Sequence, residues 1–203
     1  MQQELFEAVK SQTTANLDFS LAKRQALDAH SWVEVVPGWM LGSRELLDRL
    51  ATSVAWEQRD RRMFDQVFRE PRLTGEYGDV REAPEKVLLD ACEALSEQYG
   101  IRYDGLWMNF YRDGQDSTGW HRDIVSRYRS ETIVPVLTLG ATRRFLIKPR
   151  EGGKSIVFRP ASGDLIVMGG RAQTDWVHSV PKESDVGERR ISINFQSSTQ
   201  VTV

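Results

Sequence analysis

The chain holds one cysteine, Cys92, so no disulfide framework can exist within it. Cys92 lies in Val87-Leu88-Leu89-Asp90-Ala91-Cys92-Glu93-Ala94-Leu95, an amphipathic helical pattern, and is expected to be a small core residue rather than a nucleophile. No apolar run has the length of a membrane span and no signal peptide is visible, so a cytoplasmic protein with no membrane attachment is expected. Net charge is small, −2, which argues against a generic polyanion binder. Repeats, linkers and low-complexity tracts are lacking, and 203 residues suit one main domain. Histidine is scarce, with only three in the chain, which makes their positions informative.

The charge is uneven. Arg59, Arg61, Arg62, Arg69 and Arg72 crowd one stretch, and Arg143, Arg144, Lys148, Arg150, Lys154 and Arg159 crowd another. Local basic patches on a near-neutral protein suit contact with phosphates. Solvated faces laced with ion pairs are the alternative, since Asp and Glu are plentiful nearby.

Residues 1–30 read as a polar, partly helical extension, and 31–203 as a single domain. Trp32–Met40 suggests a short strand closed by Pro37-Gly38. Ser43 is a plausible cap for a helix through Leu46, Leu47 and Leu50, and Pro84 opens a second helix that Gly100 stops. Between them, about 56–80, lies an Arg-rich stretch and a Gly-bracketed loop. Beyond Gly100 the texture changes to short β-rich runs: Leu106–Tyr111, Ile133–Leu139, Phe145–Lys148, Ser155–Phe158, Asp164–Met168, Thr174–His178 and Arg190–Phe195. This order predicts a mainly β (α+β) protein, an antiparallel sandwich or barrel such as a jelly roll, buttressed on one face by amino-terminal helices.

Two of the three histidines stand in Trp120-His121-Arg122-Asp123 and in Trp176-Val177-His178-Ser179-Val180-Pro181. On a strand, a His-x-Asp pair would put both side chains on one face. A distant His from another strand would complete two imidazoles and one carboxylate, a donor set suited to Fe(II) with positions left open. Zinc accepts the same donors. From Arg190, alternation puts Arg190, Ser192, Asn194 and Gln196 on one strand face and Ile191, Ile193 and Phe195 on the other. A guanidinium on a polar strand face is a natural partner for a carboxylate. Arg189 is the neighbouring alternative, but it would turn the apolar set to the wrong side.

Three segments together resemble the AlkB family of Fe(II)- and 2-oxoglutarate-dependent dioxygenases. They are Asn109-Phe110-Tyr111 leading through a Gly-containing turn to His121-x-Asp123, Gly163–Gly170 leading through Gln173 and Trp176 to His178-Ser179-Val180-Pro181, and Arg190–Gln196. Pro71-Arg72-Leu73-Thr74 with Tyr77-Gly78-Asp79 adds a weaker likeness. The resemblance runs from about Trp32 to Phe195. It implies a double-stranded β-helix and a metal held by His121, Asp123 and His178. It also implies 2-oxoglutarate gripped by Arg190 with Asn109 and Tyr111 assisting, and a substrate lid over about 56–80. The activity implied is oxidative demethylation of N-alkylated nucleobases, DNA more than RNA. Fe(II), 2-oxoglutarate and O2 would be consumed or used, and succinate, CO2 and formaldehyde released. The target base would have to leave its stack. Arg72, Tyr77 and Trp120 are the candidate substrate contacts, and a monomer is expected.

Two departures stand out. The family closes its last strand with Arg-x-Asn-x-x-x-Arg, whereas here Ser192 replaces the Asn and Gln196 the second Arg. By resemblance those two positions would help hold the metal-proximal end of the co-substrate and the metal-binding carboxylate, while Arg190 would grip the distal carboxylate. Losing one charged hydrogen bond costs roughly 1.5–3 kcal/mol. Secondly, Val125 stands where DNA-repair members often carry an acidic residue. The other readings are a dioxygenase of this fold acting on RNA, protein or a small molecule, a non-catalytic nucleic-acid-binding module, and a cupin-like metal protein without oxygen chemistry.

Overall fold

The computed structural model describes residues 13–63, 66–123 and 131–198. Strands begin earlier than the sequence suggested: β1 (Thr14–Ala15), β2 (Lys23–Ala26), β3 (Ser31–Val36), β4 (Met40–Leu41), β5 (Asp60–Met63), β6 (Gln66–Arg69) and β7 (Leu73–Tyr77). Helices α1 (Ser43–Ser53) and α2 (Lys86–Tyr99) precede and follow the last three of these. The chain continues through β8 (Gly105–Tyr111), β9 (Thr118–His121), β10 (Thr132–Gly140), β11 (Phe145–Pro149), β12 (Ile156–Phe158) and β13 (Leu165–Gly170). A one-turn helix α3 (Ala172–Asp175) then leads into β14 (Trp176–Val180), and β15 (Arg190–Gln196) closes the fold.

Seven strands form a major sheet in the order β2-β3-β13-β10-β15-β8-β7, and four form a minor sheet in the order β12-β11-β14-β9. The pairings are antiparallel. Because strand side chains alternate, the major sheet has two distinct faces. Leu106, Met108, Leu137, Leu139, Leu165, Val167, Ile191, Ile193 and Phe195 meet Leu46, Leu47 and Leu50 of α1 and Leu88, Ala91 and Leu95 of α2. From the other face Val33, Tyr111, Val134, Val136, Ile166 and Met168 meet Phe145, Ile147, Trp176 and Val180 of the minor sheet. The result is the expected jelly roll, with helices on one side of the major sheet and the minor sheet on the other. Fully burying each Leu or Ile contributes roughly 1.5–3 kcal/mol, so the helix-backed layer is the main source of stability.

The helices follow from periodicity, but their ends differ in detail from expectation. Gly42, with φ 64°, precedes α1, and no side chain caps it; the Ser43 hydroxyl instead meets Ser162 Oγ at 2.9 Å. Gly100 ends α2 with φ 66° and its N–H on the Ser96 carbonyl, as a glycine stop should. The stretch read as an extension splits: residues 1–12 lie outside the described residues, whereas β1 pairs with β4 and β2 extends the major sheet beside β3. Polar β2 is exposed throughout, which suits an edge strand and explains why its sequence lacks an apolar period. The Arg-rich stretch is the β5–β6 hairpin. Thr174 and Asp175, expected at the start of a strand, belong to α3. No helix among the described residues is long and apolar enough to cross a membrane.

Candidate metal centre and co-substrate cavity

His121 ends β9 and His178 sits in the middle of β14, and antiparallel pairing sets them opposite each other. Their rings lie 4.2 Å apart, centroid to centroid. Phe145 stacks on the His178 ring at 5.3 Å, and His178 is buried. The His121 Nδ1 lies 2.9 Å from the Gly119 carbonyl oxygen, which can only accept. Nδ1 therefore carries the proton, and the Nε2 lone pair is free for a metal.

Strand alternation does not aim Asp123, contrary to the sequence expectation, because β9 stops at His121. Asp123 is turned inward by Gln173 of α3. Its backbone N–H donates to Gln173 Oε1 at 2.9 Å, and Gln173 Nε2 donates to Asp123 Oδ2 at 2.8 Å. Asp123 Oδ1 is then 3.9 Å from His121 Nε2, and Oδ2 is 3.8 Å from His178 Nε2. One ligand atom from each of His121, Asp123 and His178 lies within 4.8 Å of the others, a group able to hold a metal ion. Burial, helped by neighbouring His121, holds the His178 pKa well below its ordinary value, so the imidazole is neutral. Burial raises the Asp123 pKa, while His121 and the Gln173 hydrogen bond oppose the shift. A neutral imidazole is the form that binds metal, and a bound cation would stabilise the carboxylate.

Beside this group, β8 and β15 turn their polar face into a narrow cavity between the sheets. Asn109, Tyr111, Thr118, His121, His178, Arg190, Ser192 and Asn194 line it, with Val136, Phe145, Met168 and Val180. The register places Arg190 opposite Tyr111 and Ser192 opposite Asn109. Arg190 is buried and donates through Nη2 to Thr138 Oγ1 at 3.1 Å, whereas its Nε and Nη1 have no partner. Burial lowers its pKa. A buried guanidinium with unmet donors is costly alone and fits an anionic guest. The Tyr111 hydroxyl lies 2.8 Å from Thr118 Oγ1. Asn109 Oδ1 accepts from Arg72 Nε at 2.8 Å and from Trp107 Nε1 at 3.2 Å, and its Nδ2 lies 3.4 Å from Ser192 Oγ.

Of the residues expected from sequence, His121, His178, Asn109, Tyr111, Arg190 and Ser192 thus share the cavity wall, with Asp123 at its side. Gln196 does not join them. It pairs with Gly105 at the far end of β15, six residues beyond Arg190 and roughly 20 Å along the strand. Asn194 takes the cavity-facing place nearest to it. Trp120 points away from the cavity, is exposed on the outside of the minor sheet, and has Lys148 Nζ 4.3 Å from its ring centroid. Tyr77 is half-buried and packs on the helix-backed core. Arg72 reaches the site, but through Asn109. Val125 lies outside the described residues.

The two basic stretches are less available than their composition suggested. Arg143 is buried and donates to Glu183 and to the carbonyls of Asp113, Asp116 and Pro181. Arg144 and Arg159 also face Glu183, at 3.1 and 3.7 Å. Arg59 pairs with Glu76, Arg69 with Asp60 and Arg72 with Glu70. Sequence reasoning missed the Arg143–Glu183 node and the Gln173 clamp, because neither partner stands near the other in the chain. Cys92 is buried in the helix-backed core, where burial pushes its thiol up to about 12, so it is no nucleophile.

The chain matches the family model of the 2OG-Fe(II) oxygenase superfamily over residues 73–196, which include the cavity wall and all three candidate ligands. It is similar to the alpha-ketoglutarate-dependent dioxygenase alkB homolog 3 of Rattus norvegicus, 31% identical over 75% of this chain and 58% of that protein. It is also similar to the DNA oxidative demethylase ALKBH2 of Arabidopsis thaliana, 29% identical over 56% of this chain and 43% of that protein. The chain thus spans about three-fifths or less of the length of these relatives. Among solved structures, OsALKBH1 superposes with a TM-score of 0.55 at 16% identity, over 86% of this chain and all of that one. A 2OG-Fe(II) oxygenase family protein from Burkholderia pseudomallei gives 0.50 at 18% identity, over 75% of this chain and 78% of that one. These superpositions agree with the jelly roll. The superfamily takes Fe(II), 2-oxoglutarate and O2. The chain belongs to the 2OG-Fe(II) oxygenase superfamily and, within it, to the AlkB family.

Proposed function

We propose that the protein is an Fe(II)- and 2-oxoglutarate-dependent demethylase of N-alkylated nucleobases in DNA. The observation that carries the co-substrate half of this reading is the buried Arg190, with two unmet donors, on the same cavity wall as His121 and His178. In this reading His121, Asp123 and His178 hold the iron, and Arg190 takes the distal carboxylate of 2-oxoglutarate through its unmet N–H donors. Asn109, Tyr111 and Ser192 supply further hydrogen bonds. Bound iron with 2-oxoglutarate and O2 would supply the oxidising power, releasing succinate and CO2 and hydroxylating the substrate methyl group. The hydroxymethyl product then loses formaldehyde. The apolar residues Val136, Phe145, Met168 and Val180 exclude water from the reacting centre.

The nucleic-acid half rests on the relatives, one of which is named a DNA oxidative demethylase. One observation favours a second reading, the same chemistry on RNA, a protein or a small molecule. The described arginines of the lid region, Arg59, Arg69 and Arg72, are each paired with a carboxylate, which leaves less positive charge for a duplex. The non-catalytic reading loses ground, since an unsatisfied buried Arg190 would persist without a ligand.

The test is incubation with Fe(II), 2-oxoglutarate and O2 against methylated and plain oligonucleotides of both kinds, following succinate and formaldehyde together. Equimolar formaldehyde and succinate with methylated DNA supports the reading. Succinate without formaldehyde from any oligonucleotide moves the substrate elsewhere, and neither product would contradict the enzyme altogether.

A further inference from the structure

We propose that Gln173 is a positioning residue that holds the carboxylate of Asp123 in its metal-binding orientation. The inference rests on the reading that His121, Asp123 and His178 hold the metal. Three observations lead to it. First, β9 ends at His121, so nothing in the strand pleat directs the Asp123 side chain. Secondly, Gln173 binds Asp123 at both ends: Oε1 accepts the backbone N–H at 2.9 Å, and Nε2 donates to Oδ2 at 2.8 Å. Thirdly, Gln196, where an arginine was expected to hold this carboxylate, is absent from the cavity wall.

The orientation of the amide is determined by its partners. A backbone N–H can only donate, so the amide oxygen must face it and the amide nitrogen must face the carboxylate. The same Nε2 also lies 3.5 Å from Met168 Sδ. Gln173 is buried, and every polar group of its side chain is engaged. Its backbone is equally constrained. The N–H groups of Thr174 and Asp175 close on the Arg171 carbonyl at 2.8 Å, and the Arg171 side chain pairs with Asp175. The one-turn helix thus presents Gln173 as a fixed fork rather than a mobile arm.

The consequence concerns orientation. With Gln173 Nε2 on Oδ2, Asp123 Oδ1 stays 3.9 Å from His121 Nε2 and Oδ2 3.8 Å from His178 Nε2, so the clamp holds the carboxylate facing both imidazoles. Fixing a metal ligand from behind is the work that such residues do elsewhere.

The test uses Co(II) as a spectroscopic probe in the whole protein, with Gln173→Met, which keeps the length without hydrogen bonds, and Gln173→Asn, which keeps the amide on a shorter arm. Co(II) affinity is expected to fall about 10–100-fold in Gln173→Met and by less in Gln173→Asn. The visible Co(II) bands should also change, which a merely structural loss would not cause. Thermal melting and circular dichroism establish folding; if the Met variant does not fold, the Asn variant decides. Wild-type affinity and an unchanged spectrum in the folded variants would overturn the inference alone. Failure of the wild-type protein to hold Co(II) would instead overturn the metal-site reading on which it rests, and this inference with it.

Discussion

β15 shows two kinds of chemistry on one strand. Ile191, Ile193 and Phe195 are fully buried against the helices, whereas Arg190, Ser192 and Asn194 face the cavity one residue away. The first set gains free energy simply by leaving water. The second set includes Arg190, whose burial leaves two donors unmet until a guest arrives. Stability and function are therefore separable along a single strand, and the cavity face is held at a cost that the helix-backed face offsets.

The separation can be tested by breaking each face in turn. Arg143→Met should have the largest effect on stability, about 3–5 kcal/mol, because it leaves the buried Glu183 carboxylate with fewer partners and frees the Asp113–Asp116 turn; chemical denaturation measures it. Ile193→Ala should cost roughly 2–5 kcal/mol by the same measurement while the folded protein still binds 2-oxoglutarate. Arg190→Met should do the reverse. Its melting temperature without ligand should hold or rise, and 2-oxoglutarate affinity should fall by roughly one to two decades, as for a lost charged hydrogen bond of about 1.5–3 kcal/mol. A large loss of stability in Arg190→Met would break the comparison.

Smaller effects sharpen it. Arg72→Ala removes a donor to Asn109 Oδ1 and should weaken 2-oxoglutarate binding by about 1 kcal/mol, roughly five-fold, in a calorimetric titration. Trp120→Ala should leave that titration unchanged and lower stability by no more than about 0.5–1 kcal/mol, the value of an exposed cation–π contact with Lys148. A clear loss of co-substrate affinity in Trp120→Ala would contradict its placement outside the cavity.

Periodicity made the helix-backed layer legible. Leu46, Leu47 and Leu50 have helical spacing, and Ile191, Ile193 and Phe195 alternate with polar neighbours in the sequence itself. The cavity wall was legible for a related reason in β15, where Arg190 and Ser192 alternate with those apolar residues, whereas Asn109 and Tyr111 were legible through the family resemblance. What escaped were features that depend on where a strand stops. Alternation alone would carry Gln196 into the site with Arg190, but the cavity ends at Asn194. It would also aim Asp123, yet β9 ends first and a glutamine fifty residues away does the work. Composition misled in a different way: a run of arginines suggests a free basic surface, and only the fold shows Arg143 buried among carbonyls and Glu183. The edge strand β2 was unreadable because an exposed strand has no apolar period to display.

The most direct test of the account is anaerobic titration of the Fe(II)-loaded protein with 2-oxoglutarate, following the visible metal-to-ligand charge-transfer band. The account predicts a saturable band in the wild-type protein. In Arg190→Met it should need roughly ten- to hundred-fold more 2-oxoglutarate, and in His178→Ala it should be absent. Iron binding without any such band, or a band whose concentration dependence is the same in Arg190→Met, would contradict the assignment of the cavity to the co-substrate.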